Sequence, residues 1–453
     1  MPFLPVPLAT DVLLWLLVAA GAVYGGYCMR RPHLAAPWKR VFRAKSAVAC
    51  GVILAAFLLL GLADSLHFRA RLESVDAAAG TAYSPEVLSL LDLALGPLRR
   101  QQEKTYSAPL ATRLYAKEQV ELPDGKSVRE FPRLRFGGAH LKDETAWDGD
   151  VGAAIASGLA LAVLAGIFLF LLKKRLARRR PDVPWGAGAA TLCALAALAL
   201  PMLVLSQHYH VLGTDKVGQD VLYQALKSVR VSLVIGTVTT LVLLPLGAAL
   251  GIMAGYFRGW IDDAIQYLYT TLNSIPGVLL IAAAVLMMQV VIDRNADLFP
   301  TAAHRADFRL LILCAILGLT SWTGLARLLR GEALKLSQLE YIQAAHAFGV
   351  SDARVLSRHI LPNVAHIVII SMVMDFSGLV LAEAVLSYVG VGVDPATTSF
   401  GTMINAARLE MGREPIVWWS LAAAFAFMFV LVLAANLFAD AVRDGFDPRV
   451  RMA

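Results

Sequence analysis

Nine apolar runs, each long enough to cross a bilayer, limit this chain more than any other feature. They lie at about 11–28, 46–63, 151–172, 186–205, 229–256, 264–292, 309–329, 364–390 and 416–439. A hydrocarbon core about 30 Å thick needs roughly 20 consecutive apolar residues per helix. Hydrophobic residues make up 58% of the 453 and charged residues 17%, and the mean hydropathy is +0.62. A soluble chain of this length carries more charge. The chain therefore reads as an all-α polytopic membrane protein with about nine transmembrane helices. Its net charge of +7 does not point to nucleic acid, because the basic residues sit in short clusters beside apolar runs and form no stripe.

Those clusters predict the topology. Arg30, Arg31, Lys39, Arg40, Arg43 and Lys45 fill the linker between the first two runs with no acidic residue among them. Lys173, Lys174, Arg175, Arg178, Arg179 and Arg180 fill the linker between the third and fourth. Both linkers are placed in the cytoplasm by the positive-inside rule. An odd number of spans then puts the N-terminus outside and the tail with Arg443, Arg449 and Arg451 inside. No basic region precedes the first run, so it does not read as a cleaved signal peptide. Cys28, Cys50, Cys193 and Cys314 lie within or beside apolar runs, which suits small apolar packing and supports neither a disulfide framework nor a zinc site.

Four regions follow. Residues 1–63 supply two spans. Residues 64–150 form a polar segment of mixed charge, expected outside as a small extracytoplasmic domain inserted after the second span. Within it, residues 88–98 read as a short helix and 120–128, around Pro123, Asp124 and Gly125, as a hairpin. Residues 151–185 hold the third span and a basic linker ending at Pro181 and Pro184. Residues 186–453 form a six-span core with a long cytoplasmic loop at 331–363. Pro245 and Pro276 interrupt the fifth and sixth runs, where kinks are expected.

The loop is more structured than a connector requires. Tyr341, Ala344, Ala345 and Phe348 recur at helical spacing and Gly349 is a natural stop. Ser351 is placed to cap a second short helix with Asp352 in its first turn, and Pro362 to open the next apolar run. Arg354 and Arg358 suit contacts to a partner subunit or to lipid phosphates, and equally a solvated face. Small alanines allow close approach of another protein, while Tyr341 and Phe348 suit aromatic anchors. A solvated connector remains the alternative.

Outside the loop the chemistry is sparse. No glycine-rich loop ends in Gly-Lys-Ser/Thr, no HExxH occurs, and no Ser/His/Asp or Cys/His constellation presents itself. If ATP drives this protein, a separate subunit must hydrolyse it. His208 and His210 flank Tyr209 without a third ligand, which is weak metal evidence. Gly213, Thr214 and Asp215 read as a turn able to cap the helix that follows, with Asp220 a further capping residue. Asp375 and Glu383 lie inside the eighth run, and Asn436 and Asp440 near the end of the ninth. A charge at mid-bilayer costs roughly 2.5–3.5 kcal/mol on insertion scales, so Asp375 and Glu383 are either pathway residues or structural hydrogen-bonding groups.

Several segments carry a resemblance. Gln343-Ala344-Ala345, then Gly349, then Leu361-Pro362 twelve and thirteen positions later, resembles the cytoplasmic "EAA" loop of ABC-importer permeases. The segments LGTDKVGQDVLYQALKSVRVSL (212–233), GYFRGWIDD (255–263), AEAVLSYVGVGVDPATTSFGTMI (382–404) and NLFADAVRDGFDPRVR (436–451) resemble the second permease subunit of the dipeptide/oligopeptide/nickel branch, in that family's order. The resemblance implies that the last six helices form an ABC type I importer permease fold in a bacterial inner membrane. It implies a homologous permease partner forming a heterodimer, two ABC ATPase subunits that hold ATP and magnesium, an extracytoplasmic substrate-binding protein, surrounding membrane lipid, and no cofactor on this chain. By the same resemblance, Tyr341, Gln343, Ala344, Ala345, Phe348, Gly349, Asp352, Arg354 and Pro362 couple to an ATPase, and Gly213, Asp215 and Asp220 lie at the outer gate or docking surface. Gln343 stands where the family has an acid, His359 where it often has isoleucine, and Gln219 where it has arginine. Nothing in the family accounts for residues 1–172. Two other readings stay open: a proton-coupled secondary transporter using Asp375 or Glu383, and a membrane sensor or enzyme working through residues 64–150.

Overall fold

The computed structural model describes residues 3–71, 83–121, 127–179, 183–295, 297, 299 and 301–446. Among these, eight helices are long and apolar enough to cross a membrane, and a ninth candidate is a pair bent by 40°. The contacts group the chain into two compact units.

One unit comprises Met1–Pro7, Phe42–Ser232 and Thr397–Ala434. Its strand β1 (Phe3–Pro5) pairs antiparallel with β2 (His67–Ala70), Phe3 opposite Ala70, and β2 pairs with β3 (Leu88–Ser89). The residues ahead of the first span thus complete a sheet with the residues that follow the second, a pairing no local pattern signals. Numbering the helices through the chain, α1 (Ala9–Arg30) and α2 (Pro32–Val41) belong to the other unit, and α3 (Lys45–Asp64) is the second span. The helix expected at 88–98 is instead β3 followed by two short helices, α4 (Leu90–Ala94) and α5 (Gly96–Arg100). Ser89 and Asp92 form a capping box that sets the start at Leu90, and Pro97 has no N–H to continue the ladder past Leu95. The hairpin strands β4 (Glu118–Glu121) and β5 (Ser127–Glu130) pair antiparallel with Gln119 opposite Arg129; the turn at Pro123–Gly125 lies outside the described residues, as do Arg180, Pro181, Arg449 and Arg451.

Helices α6 (Trp147–Arg179) and α7 (Trp185–Leu205) pack closely, and Gly158 permits it: a Cβ there would sit 2.4 Å from Pro201 Cα. The buried residues Leu91, Leu95, Leu98 and Leu141 of the inserted segment share one core with Leu205, Tyr209, Leu222 and Tyr223. The segment is therefore packed, not a bare loop, because its short amphipathic helices bury their apolar faces against the span ends.

The second unit comprises Leu8–Val41, Leu233–Ala396 and Ala435–Ala453. Helix α8 (Val221–Phe257) begins in the first unit and ends in this one, with Pro245 inside it. The sixth run, expected as one span over 264–292, is two helices: α9 (Gly259–Ser274) and α10 (Gly277–Arg294). Pro276 forces Ile275 into extended backbone, φ −93° and ψ 131°, which ends α9. Helix α9 buries Asp262 and Ile265 while Trp260 and Tyr267 are exposed, an amphipathic pattern unlike a span. The seventh run is the bent pair α11 (Ala302–Ser321) and α12 (Thr323–Leu336).

After α12 come α13 (Glu340–Ala347), α14 (Asp352–Val355), a π-helical turn (Leu356–Ile360) and α15 (Leu361–Val389). Next are α16 (Phe400–Glu410), in the first unit, and α17 (Trp419–Phe446). Within the second unit α1 packs on α11, where the Thr10 backbone N–H donates to Asp307 Oδ2 at 3.2 Å and the Thr10 hydroxyl donates to Oδ1. Val41 of α2 lies against Gly445 near the end of α17, and Trp38 meets Phe446 edge-on at 5.2 Å.

Candidate functional site

The loop at 331–363 is a platform with one face buried and one bare. Helix α13 ends in a Schellman motif: the Val350 N–H donates to Ala345 O at 3.0 Å and the Gly349 N–H to His346 O at 2.9 Å. Gly349 has φ +71°, a left-handed conformation that costs an L-residue roughly 1–2 kcal/mol. Ile342, Val355, Ile360 and Val364 are fully buried in a core with Ile252, Leu329 and Ala333 of α8 and α12. On the opposite face Tyr341, Gln343, Ala344, Asp352, Arg354 and Pro362 are exposed, and Phe348 is 87% exposed. Ala345 is half-buried and packs on the core side.

Two local expectations differ from the structure. Ser351 occupies the N-cap position, but its side chain makes no capping hydrogen bond; its carbonyl instead accepts from Arg354 N at 2.9 Å and Val355 N at 3.1 Å. The second short helix is not separate, since Asp352–Val389 is a single helical run. Pro362 opens the apolar part of that run, as expected. It sits in the first turn of α15 just after the π-turn, and a wider turn accommodates the hydrogen bond that proline cannot donate. Gln343 Nε2 donates to Gln338 O at 3.2 Å and Tyr341 Oη accepts from Asn363 Nδ2 at 3.2 Å.

The platform rests on a close helix pair. Gly247, Gly251 and Gly255 line one stripe of α8, and a Cβ on Gly251 would lie 2.5 Å from Ala326 O and 2.8 Å from Ala326 Cα of α12. Arg330 of α12 binds Asp262 of α9 through both Nε and Nη2 at 2.6 Å. Arg258, itself at φ +54°, donates to Ser337 Oγ at 2.9 Å.

In the first unit, Gly213 has φ +73° and stands beside the Trp419 ring and Ser107 O, leaving no room for a side chain. Asp215 does not cap the following helix, as the sequence suggests; Oδ1 accepts from Val217 N at 2.9 Å and Gln219 N at 2.8 Å and closes its own turn. Asp220 is the cap, its Oδ1 accepting from Tyr223 N at 3.1 Å. Its Oδ2 meets His210 Nδ1 at 2.8 Å, and His210 Nε2 faces Glu103 Oε1 at 3.5 Å, all three side chains buried. Glu103 in turn accepts the backbone N–H groups of Arg135, Phe136 and Gly137. His208 lies elsewhere, its ring 4.4 Å from that of His140, so the two histidines flanking Tyr209 do not converge. Among the described residues no group of three or more His, Cys, Asp or Glu is arranged to hold a metal ion.

This triad gives a pH dependence. Burial alone lowers the His210 imidazolium, but the Asp220 and Glu103 carboxylates reverse that and hold it up at about 9. Burial raises the Glu103 carboxyl, but His210 and the three backbone N–H groups bring it down to about 2. The histidine contributes stability in full below its unfolded value of roughly 6.5 and loses it as pH rises through about 9. Glu103 contributes above its unfolded value of roughly 4.5 and loses it as pH falls through about 2. Thermal unfolding of the purified protein should show a His210 contribution that fades between about pH 6.5 and 9, worth about 3 kcal/mol. A His210→Gln variant should lose that alkaline slope; an unchanged slope overturns the assignment.

In the second unit Glu383 is fully buried in α15 and its Oε1 accepts from Ser387 Oγ at 2.7 Å. Asp375 is half-buried on the same helix. Ser377 Oγ donates to Asn436 Oδ1 of α17 at 2.6 Å, and Asp440 is exposed. Sequence reasoning did not reach Ile342, Val355 and Ile360, which anchor the loop, nor Glu103, which lies 107 positions before His210. The alternation of Ile342 with exposed neighbours was the one available signal.

Known proteins resemble the same half of the chain. Residues 247–452 match the family described as "Binding-protein-dependent transport system inner membrane component". The glutathione transport system permease protein GsiD of Pectobacterium atrosepticum is 34% identical over 244 residues, 53% of this chain and 73% of that protein. The oligopeptide transport system permease protein OppC of Mycobacterium bovis is 31% identical over 242 residues, 53% of this chain and 77% of that protein. A solved structure of the MetNI methionine ABC transporter overlaps 49% of this chain and 97% of its own at 15% identity and a TM-score of 0.36, too loosely to add to the assignment. The relatives and the membrane helices agree: this chain belongs to the binding-protein-dependent ABC importer permeases, as a multi-pass inner-membrane permease subunit and not an ATPase.

Proposed function

We propose that this subunit forms half of the translocation pathway for peptides or a related small solute, and that residues 340–362 dock one ATPase. The relatives' peptide and glutathione specificity supports the substrate class. A homologous permease supplies the other half of the pathway, two ATPase subunits bind and hydrolyse ATP with magnesium, and an extracytoplasmic binding protein delivers the solute near Gly213–Asp220. The N-terminus lies outside and the C-terminus in the cytoplasm. Pairing of β1 with β2 supports a common side for the N-terminus and the segment that follows the second span. The first three spans and residues 64–150 form an added module, and the six spans from 186 form the permease core. The module either docks the binding protein or steadies the heterodimer. Half-buried Asp375 suits a group facing the pathway, whereas Glu383, buried against Ser387, suits a packing role.

The observation that carries the docking assignment is the two-faced loop. Ile342, Val355 and Ile360 hold it to α8 and α12 while Phe348 projects almost entirely bare. A loop in water gains nothing by presenting a rigid aromatic, whereas an interface gains an anchor worth about 2 kcal/mol or more. Phe348→Asp should weaken ATPase retention by about 30-fold. Gly349→Arg should do the same by straining the left-handed turn, with the membrane core still folded. Co-purification of the ATPase subunits reads both; undiminished retention in both variants removes the docking assignment.

A further inference from the structure

At the inner end of α8 one side chain spans the turn of the cytoplasmic loop. The Tyr256 hydroxyl donates to Asp352 Oδ1 at 2.7 Å and lies 3.0 Å from His346 Nε2. With its proton directed at Asp352, the hydroxyl oxygen accepts from the imidazole N–H. The two rings stack, centroids 5.7 Å apart and planes 25° from parallel. His346 belongs to α13, ahead of Gly349, and Asp352 opens α14, behind it. One hydroxyl therefore ties both arms of the Gly349 turn to a membrane-spanning helix.

The surrounding contacts explain why such a tie matters. Ile252 of α8 shares a core with Ile342 and Val355 of the loop, and Gly255 brings α12 into backbone contact. Apolar contacts of this kind are non-directional. They oppose compression of the loop onto α8 but resist sliding along it only weakly. A hydrogen bond weakens steeply away from its preferred angle, so it resists the displacement that packing permits. Gly349 is the place where such a displacement would otherwise be absorbed, because glycine crosses between backbone regions at little cost.

We infer that Tyr256 is a positioning residue of the transport cycle: it holds the loop in register with α8, so that a push from an ATPase moves the helix and is not lost in the glycine turn. This rests on the reading of residues 340–362 as the ATPase-docking element. Tyr256 is not part of that docking surface; it acts through His346 and Asp352.

The test uses the full complex in proteoliposomes, with spin labels introduced as noncanonical residues at positions 241 and 357. Distances are measured at rest and after trapping with ATP, magnesium and vanadate. The wild-type pair should give one narrow distribution that is the same in both states. Tyr256→Phe should retain its ATPase subunits and hydrolyse ATP, yet broaden or shift that distribution by about twofold in width on trapping. His346→Gln, which keeps an N–H donor, should behave as wild type, and His346→Leu as Tyr256→Phe. A distribution in Tyr256→Phe identical to wild type in both states overturns the inference. Loss of the ATPase subunits from Tyr256→Phe also overturns it, since the residue would then shape the docking surface. Failure of the docking reading is separately visible, as ATPase retention by Gly349→Arg and Phe348→Asp.

Discussion

Gly251→Leu should prevent the chain from accumulating as a folded subunit. A Cβ at this position would stand 2.5 Å from a carbonyl oxygen and 2.8 Å from a Cα of Ala326, and these are backbone atoms that no rotamer change can move aside. Overpacking a well-packed core costs about 1–3 kcal/mol where side chains can yield. Here α8 and α12 must separate, which also pulls apart the core that holds Ile342 and Val355. Gly251→Ala should be partly tolerated with a clearly lowered melting temperature. Gly331→Ala is the comparison: it too lies within a helix of the second unit, but a Cβ there meets nothing within 4 Å. Replacing a mid-helix glycine by alanine at such a site should be neutral or stabilise by up to about 1 kcal/mol. Fluorescence-detected size exclusion and thermal melts of the three variants separate these outcomes. Equal behaviour of Gly251→Leu and Gly331→Ala would refute the close-packed helix pair.

Lys227→Met should strongly destabilise the first unit. Lys227 Nζ lies 3.1 Å from Asp64 Oδ1 and 2.8 Å from Asp92 Oδ1, and both carboxylates are almost fully buried. Tyr223 Oη donates to Asp92 at 2.7 Å and Ser89 Oγ to Asp64 at 2.6 Å. Burial raises the Asp92 carboxyl, but Lys227 foremost, then Tyr223 and the Ser89 backbone N–H, bring it below its ordinary value. Breaking a buried pair by removing one partner costs about 3–5 kcal/mol, because the other charge stays buried and uncompensated. Lys227 is itself partly exposed, so the lower end of that range applies. The direction with pH distinguishes this from a packing defect. In the wild type Asp92 contributes stability above its unfolded value of about 4 and loses it on acidification. In Lys227→Met the Asp92 carboxylate has lost its cation and is relieved by protonation, so the variant should grow more stable relative to wild type as pH falls. Adding Asp64→Asn and Asp92→Asn should recover much of the loss. A deficit that is the same at every pH and persists in the triple variant would point to packing alone.

Much of the membrane architecture was legible because it is written in contiguous residues. Length and hydropathy mark where a span begins and ends, and each of the nine expected runs overlaps a long apolar helix or, for the seventh, a bent pair. The sixth run shows where this reading stops. The run at 264–292 is apolar throughout on average, yet α9 is amphipathic and Pro276 parts it from α10. An average over the run conceals the helical alternation of Ile265 and Tyr269, turned inward, against exposed Tyr267 and Leu268. In the loop, the Gly349 stop was visible for the reason that it exists: one residue needs φ > 0. The continuity of α14 through a π-turn into α15 was not, because Pro362 reads locally as a boundary.

The sequence by itself determined the class of protein, the approximate span limits, the turn residues Gly213 and Gly349, and the absence of a phosphate-binding loop ending in Gly-Lys-Ser/Thr. Each of these depends on composition, or on residues within a few positions of one another. Tertiary structure alone decided what those elements hold on to. Glu103 reaches His210 across 107 positions, Thr10 reaches Asp307 across 297, and Tyr256 reaches Asp352 across 96. The N-terminal strand finds β2 across 64 positions, from Phe3 to His67 at their starts. Such pairings depend on which surfaces meet once the helices have packed. A buried charge or a backbone N–H needs a partner, but nothing in the local sequence specifies which distant residue supplies it.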